Sequence, residues 1–172
     1  ETPVNGPNPR IDNKYGQIVR WTPTDKDHTN SGFAWDLFVL AGNPTAHSDL
    51  YAGSKNINQN NLFNSPDGIT VDNNGLMWIR TDGIYSNEGD FAGMGNNQML
   101  VADTTTGEIK RFLVGPIECE ITGLAWSADK KTLFLGIQHP GDKGGGHFPD
   151  GGKNVPRSSI IAIKRNDGRT IG

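Results

Sequence analysis

Ser65-Pro66-Asp67-Gly68-Ile69-Thr70-Val71-Asp72, followed by Met77-Trp78-Ile79-Arg80-Thr81-Asp82, decides the fold because the pattern comes back later in the chain. It returns as Glu120-Ile121-Thr122-Gly123-Leu124-Ala125-Trp126-Ser127, followed by Leu133-Phe134-Leu135-Gly136-Ile137-Gln138. In each copy a glycine opens a short apolar strand, a polar turn follows, and a second apolar strand runs back. Gly68 and Gly123 fall in register, which sets a repeat period of about 55 residues. Short strands repeated at that interval predict an all-β chain built as a radial array of blades, a β-propeller, rather than a helical solenoid.

The flanking segments extend the repeat. Asn97 to Asp103 and Glu108 to Gly115 are two outer strands joined by Thr104-Thr105-Thr106-Gly107, and an earlier pair, Gly16 to Trp21 and Trp35 to Gly42, matches them. Ser158 to Lys164 supplies a third strand for the second copy. With strands lettered A to D from the axis outward, the order is C-D, then A-B-C-D, then A-B-C. The expected units are a partial blade over 11–45, a complete blade over 64–116 and a partial blade over 119–168. About two and a half blades cannot close a ring, so the expectation is a partial propeller and a piece of a larger protein. The opening Glu1 to Arg10, with neither an initiator Met nor an apolar signal segment, is read the same way, as a start inside a loop. Strand edges left open at both ends would pair with the remaining blades or with a second copy of the chain.

Composition narrows the function classes. Glycine makes up 23 of the 172 residues, and the Asn-, Asp- and Pro-rich turns leave Ser54 to Asn61 as the one short helical candidate. A formal net charge of −3 gives no electrostatic case for nucleic acid, and no apolar run is long enough for membrane insertion. Cys119 is the single cysteine, so an internal disulfide is ruled out.

Residues able to carry chemistry cluster at the blade entries. Asp67 directly precedes the glycine of the first copy, and Glu118 and Glu120 stand at the start of the second. In a propeller, inner-strand starts approach the axis, where acidic side chains from neighbouring blades converge. A hard cation such as calcium takes six to eight carboxylate and carbonyl oxygens, and Asn64, Asn87, Asn96 and Asn97 could add amide oxygens. Asp67 fits a Pro-Asp-Gly turn equally well. Glu120, a carboxylate beside an apolar strand, is harder to explain without a partner. Asp82 and His139 end the second strand of each copy. The bland reading of Asp82 is a turn residue and that of His139 a turn cap; the alternative for His139 is a metal ligand or a general acid or base. Gly144-Gly145-Gly146-His147 is a flexible run at the mouth and lacks the Lys-Ser/Thr ending of a phosphate loop. Arg10 and Arg80 are read as solvated cations, with phosphate contact as the alternative.

Several of these segments, taken in order, resemble the C-terminal part of the PhoX-type alkaline phosphatases: Asn13 to Trp21, Trp35 to Gly42, Phe63 to Gly68, Leu76 to Gly83, Gly95 to Leu100, Glu120 to Gly123 and Gln138-His139-Pro140-Gly141. The resemblance runs over nearly the whole chain. It implies a six-bladed propeller, a site holding iron and calcium, hydrolysis of phosphate monoesters, and export to the bacterial periplasm or beyond. By the same resemblance Asp67 and Glu120 are metal ligands, and Asp82 and His139 sit at family-like positions without an assigned role. The family's iron-binding thiolate belongs to an earlier segment, so Cys119 is not its equivalent. Part of the site would lie outside this chain, and the chain alone is expected to be inactive. The residues leave two alternatives open, a calcium-dependent lactonase-like propeller and a non-catalytic binding or scaffold propeller. Gln138-His139-Pro140-Gly141 and Trp35 to Gly42 favour the phosphatase.

Overall fold

The structure is a computed structural model that describes residues 3–172; Glu1 and Thr2, where the sequence predicts a start within a loop, lie outside the described residues. Among the described residues, nine antiparallel strands form three separate sheets. β1 (Gln17–Pro23) pairs with β2 (Phe33–Leu40). β3 (Pro66–Val71), β4 (Leu76–Thr81), β5 (Gln98–Asp103) and β6 (Ile109–Val114) make a four-stranded meander, and β7 (Glu120–Trp126), β8 (Thr132–Gln138) and β9 (Ser159–Lys164) make a three-stranded one. Each strand expected from the sequence is present, in the expected order.

Burial follows from the alternation of side chains along a strand. In β8 the inward set is Leu133, Leu135 and Ile137, all buried. β4 is covered on both faces, and its residues divide between two cores. Met77 and Ile79 join Tyr15, Val39, Phe63 and Leu100 between the first and second sheets, whereas Trp78 joins Met99, Cys119, Ile121 and Leu135 between the second and third. A strand that serves two cores fixes the spacing of all three sheets.

The repeated glycines have a structural reason. Pro66 pairs with Thr81 and Ile69 with Ile79, so the register slips across Asp67 and Gly68. Ile121 pairs with Ile137 and Leu124 with Leu135, so it slips at the same place across Thr122 and Gly123. Both inner strands thus carry a bulge of one extra residue, a device that bends a strand and re-aims its side chains.

Among the described residues helix is confined to three single 3₁₀ turns at Thr24–Lys26, Leu50–Ala52 and Gly89–Phe91. Ser54 to Asn61, expected as a short helix, is instead a run of turns. The Asn61 side chain accepts from the Asn58 amide and donates to the carbonyls of Asn56 and Ile109. These asparagine bonds offer the backbone an alternative to a helical ladder. No helix among the described residues is long and apolar enough to cross a membrane.

Candidate metal centre

Three elements bring their ends to one place. Asp82 follows β4, Glu120 opens β7 and His139 follows β8. Glu120 pairs directly with Gln138 across the β7–β8 ladder, so His139 is carried to its side. The potential ligand atoms of Asp82, Glu120 and His139 all lie within 4.8 Å of one another, and His139 Nε2 is 3.7 Å from Glu120 Oε2. Asp82 and His139, which the sequence offered only as separate strand-end residues, are thereby joined to Glu120.

The supporting bonds orient these groups. His139 Nδ1 is 3.3 Å from the Glu118 carbonyl oxygen. A carbonyl only accepts, so Nδ1 carries a proton, and Nε2, on the side of Glu120, is the nitrogen left to donate to the carboxylates or, once deprotonated, to bind a metal. The His139 amide donates to Ser158 Oγ at 2.9 Å. Asn97 ties the other two residues together: its Oδ1 accepts from Thr81 Oγ1 and the Gly83 amide, and its Nδ2 donates to the carbonyls of Gly83 and Cys119. Gly83 follows Asp82 and Cys119 precedes Glu120, so one buried amide sets the spacing between the carboxylates. Ser65, Glu118 and His139 all have positive φ (48°, 60° and 38°), which gathers backbone strain around the site.

Electrostatically the group is short of positive charge. The Glu120 side chain is 12% exposed, and its carboxyl is pushed above the usual carboxylate range by burial first and by Asp82 and Asp67 next, with His139 opposing. Crowded carboxylates beside an imidazole nitrogen form a donor set suited to a divalent cation.

The remaining expected residues have other positions. Asp67 is exposed in the β3 bulge, outside the close group yet near enough for its charge to act on Glu120. The Glu118 carboxylate accepts from the amides of Lys143 and Gly145, anchoring the glycine run after His139. That run meets the loop after Asp82 where Lys143 Nζ sits 5.1 Å from the centre of the Tyr85 ring. Asn64, Asn87 and Asn96 are engaged with backbone groups of Ile84, Gly95 and Gly115. Arg10 and Arg80, expected in solvent, are both buried, at 1% and 8% exposure. Arg10 donates to the carbonyls of Ala41, Leu50 and Gly16. The convergence of Asp82 with His139 had one sequence signal: the two occupy equivalent places in the two copies. The burial of Arg80 had none, since an arginine in an alternating strand reads as a solvent-facing residue. A cavity of about 600 Å³ beside Asn8, Lys14 and Pro66 is not lined by the three candidate ligand residues.

Known proteins bear on this arrangement. The family model described as alkaline phosphatase PhoX matches residues 1–141. A solved structure of Pseudomonas fluorescens PhoX in complex with vanadate, a transition state analogue, is 60% identical, with a TM-score of 0.96 over 98% of this chain and 30% of that one. The chain therefore spans less than a third of that relative's length. No curated protein matches it. Identity at this level across nearly every described residue leaves one conclusion, that the chain belongs to the PhoX alkaline phosphatase family.

Proposed function

We propose that this chain is part of a metal-dependent alkaline phosphatase that hydrolyses phosphate monoesters, and that Asp67, Asp82, Glu120 and His139 hold metal in it. The observation that carries the proposal is the meeting of Asp82, Glu120 and His139 at one point in a chain of this family. Calcium and iron are the ions we propose, calcium for the carboxylate oxygens and iron for a position that includes the imidazole. A cation there supplies positive charge to the phosphoryl oxygens and lowers the pKa of a bound water. Asp82 and Glu120 would anchor that charge with no proton to transfer. His139 presents Nε2 because Glu118 holds its Nδ1 proton, and Asn97 keeps the two carboxylates at their spacing.

The blade reading belongs to the same proposal: partial over 11–45, complete over 64–116, partial over 119–168, within a six-bladed ring. Three sheets stacked across two cores support it. Exposed apolar side chains on the outer sheets, Trp21, Phe33 and Trp35 on one and Ile160 on the other, mark the faces that remaining blades of the parent chain would cover. Periplasmic or secreted location in a bacterium completes the proposal.

The test is hydrolysis of phenyl phosphate and of an aryl lactone by the intact protein, before and after chelation. Phosphate release that a chelator abolishes supports the proposal. Lactone hydrolysis alone, or no hydrolysis with either substrate, refutes it.

A further inference from the structure

The glycine run after His139 is tied down beside the candidate ligands. A Cβ on Gly141 would come within 2.7 Å of the Gly146 carbonyl oxygen, so the two ends of the run touch. The Gly141 amide donates to the Ile117 carbonyl at 2.9 Å, and the amides of Lys143 and Gly145 both donate to Glu118 Oε2, at 2.7 and 3.2 Å. Glu118 also meets His139 Nδ1 with its carbonyl oxygen. One residue therefore holds the imidazole by its backbone and the glycine run by its side chain.

This run presents Lys143, four residues after His139. Its Nζ lies 5.1 Å from the centre of the Tyr85 ring, and Tyr85 follows Asp82 by three residues. The side chain thus reaches from the segment after one candidate ligand to the segment after another. Among the described residues Lys143 pairs with no carboxylate at ion-pair distance, and Glu118 spends its carboxylate on the two amides. Nor is Lys143 among the charges acting on Glu120, which puts the ammonium at the rim of the ligand group rather than within it. Other cations do not serve this rim. The segment from Asp82 to Asn97 has no lysine or arginine, Arg157 is paired with Asp150, and Lys153 lies beyond the anchored run.

We propose that Lys143 is a specificity-determining residue that binds a negative charge on the leaving group, so that the site favours phosphate monoesters with an anionic leaving group over those with an uncharged one. The inference rests on the phosphatase reading and the metal centre proposed above. With the phosphoryl group at the cation, the leaving group departs in line and away from the attacking oxygen, toward the surroundings of the ligand group. A cation over an aromatic face at an exposed position is weakly held and remains free to pair with a carboxylate. A lysine that merely bridged the two segments would affect all esters alike.

The experiment compares kcat/KM for 4-carboxyphenyl phosphate and for phenyl phosphate in the intact protein. Lys143→Gln is expected to lower the ratio of the first to the second by about threefold or more, Lys143→Glu to lower it further, and Lys143→Arg to keep it. In wild-type protein the ratio should fall toward that of Lys143→Gln in about 1 M salt. A ratio unchanged in Lys143→Gln and Lys143→Glu, or an equal fall for both esters, overturns the inference and leaves the phosphatase reading intact. A wild-type protein that hydrolyses neither ester overturns both.

Discussion

Glu120 carries an electrostatic conflict that a cation would resolve. Burial and the neighbouring Asp82 and Asp67 raise its pKa in the folded chain, so without metal the folded state holds this proton more tightly than the unfolded state does. The resulting stabilisation is present below the ordinary carboxylate pKa of about 4.3 and is lost as pH rises through the raised value. Glu120→Gln is therefore expected to melt higher than the wild-type protein in chelator at pH 7.5, by up to about 1 kcal/mol, and the advantage should vanish in acid. A wild-type protein as stable as the variant at pH 7.5 contradicts this electrostatic account. Cation binding should weaken on acidification over the same window, because protons compete for the same oxygens. Cys119 gives a simpler expectation. It is 1% exposed and burial pushes its thiol up to about 12, so the folded protein should resist alkylation at pH 8 and react once denatured.

At the scale of elements, the strands were legible because β3, β8 and β9 alternate and because two copies of one hairpin confirm each other. The turns were legible for chemical reasons: Asp72 Oδ1 accepts from the amides of Asn74 and Leu76, and Gly75 takes φ of 79°. The bulges were visible only as glycines in register, since a register slip is a property of two strands and a sequence shows one. The site was half legible for the same reason. Asp67 and Glu120 stand out beside apolar strands, but the meeting of Asp82, Glu120 and His139 depends on β4, β7 and β8 ending together. Asn97 shows the difference most clearly, being a possible ligand by composition and, by structure, a bracket between the segments that carry Asp82 and Glu120. Asn97→Ala would leave the Gly83 amide and the carbonyls of Gly83 and Cys119 without their partner. We expect a loss of about 2–4 kcal/mol in denaturant unfolding, together with weaker cation binding. Gly42→Ala is a control remote from the site: its Cβ would run into the backbone of Tyr51 to Gly53, costing about 1–3 kcal/mol, with cation binding retained in the fraction that folds.

For the whole molecule, the three sheets place the candidate ligands at one end of the β4, β7 and β8 ends while leaving the outermost sheets with uncovered apolar side chains. That distribution makes the site dependent on packing across both cores, and the chain spans 30% of the P. fluorescens PhoX chain. The 172-residue chain by itself is accordingly expected to release no phosphate from phenyl phosphate under conditions in which the intact protein does. The central claim is that Glu120 and His139 hold a cation that phosphate-ester hydrolysis requires. The most direct measurement is metal content per chain by mass spectrometry, paired with phenyl phosphate hydrolysis, for the intact wild-type protein and for Glu120→Gln and His139→Ala. The account predicts fewer metal ions per chain in each variant and a fall in kcat/KM of about a hundredfold. Unchanged metal content with unchanged hydrolysis in both variants would contradict it.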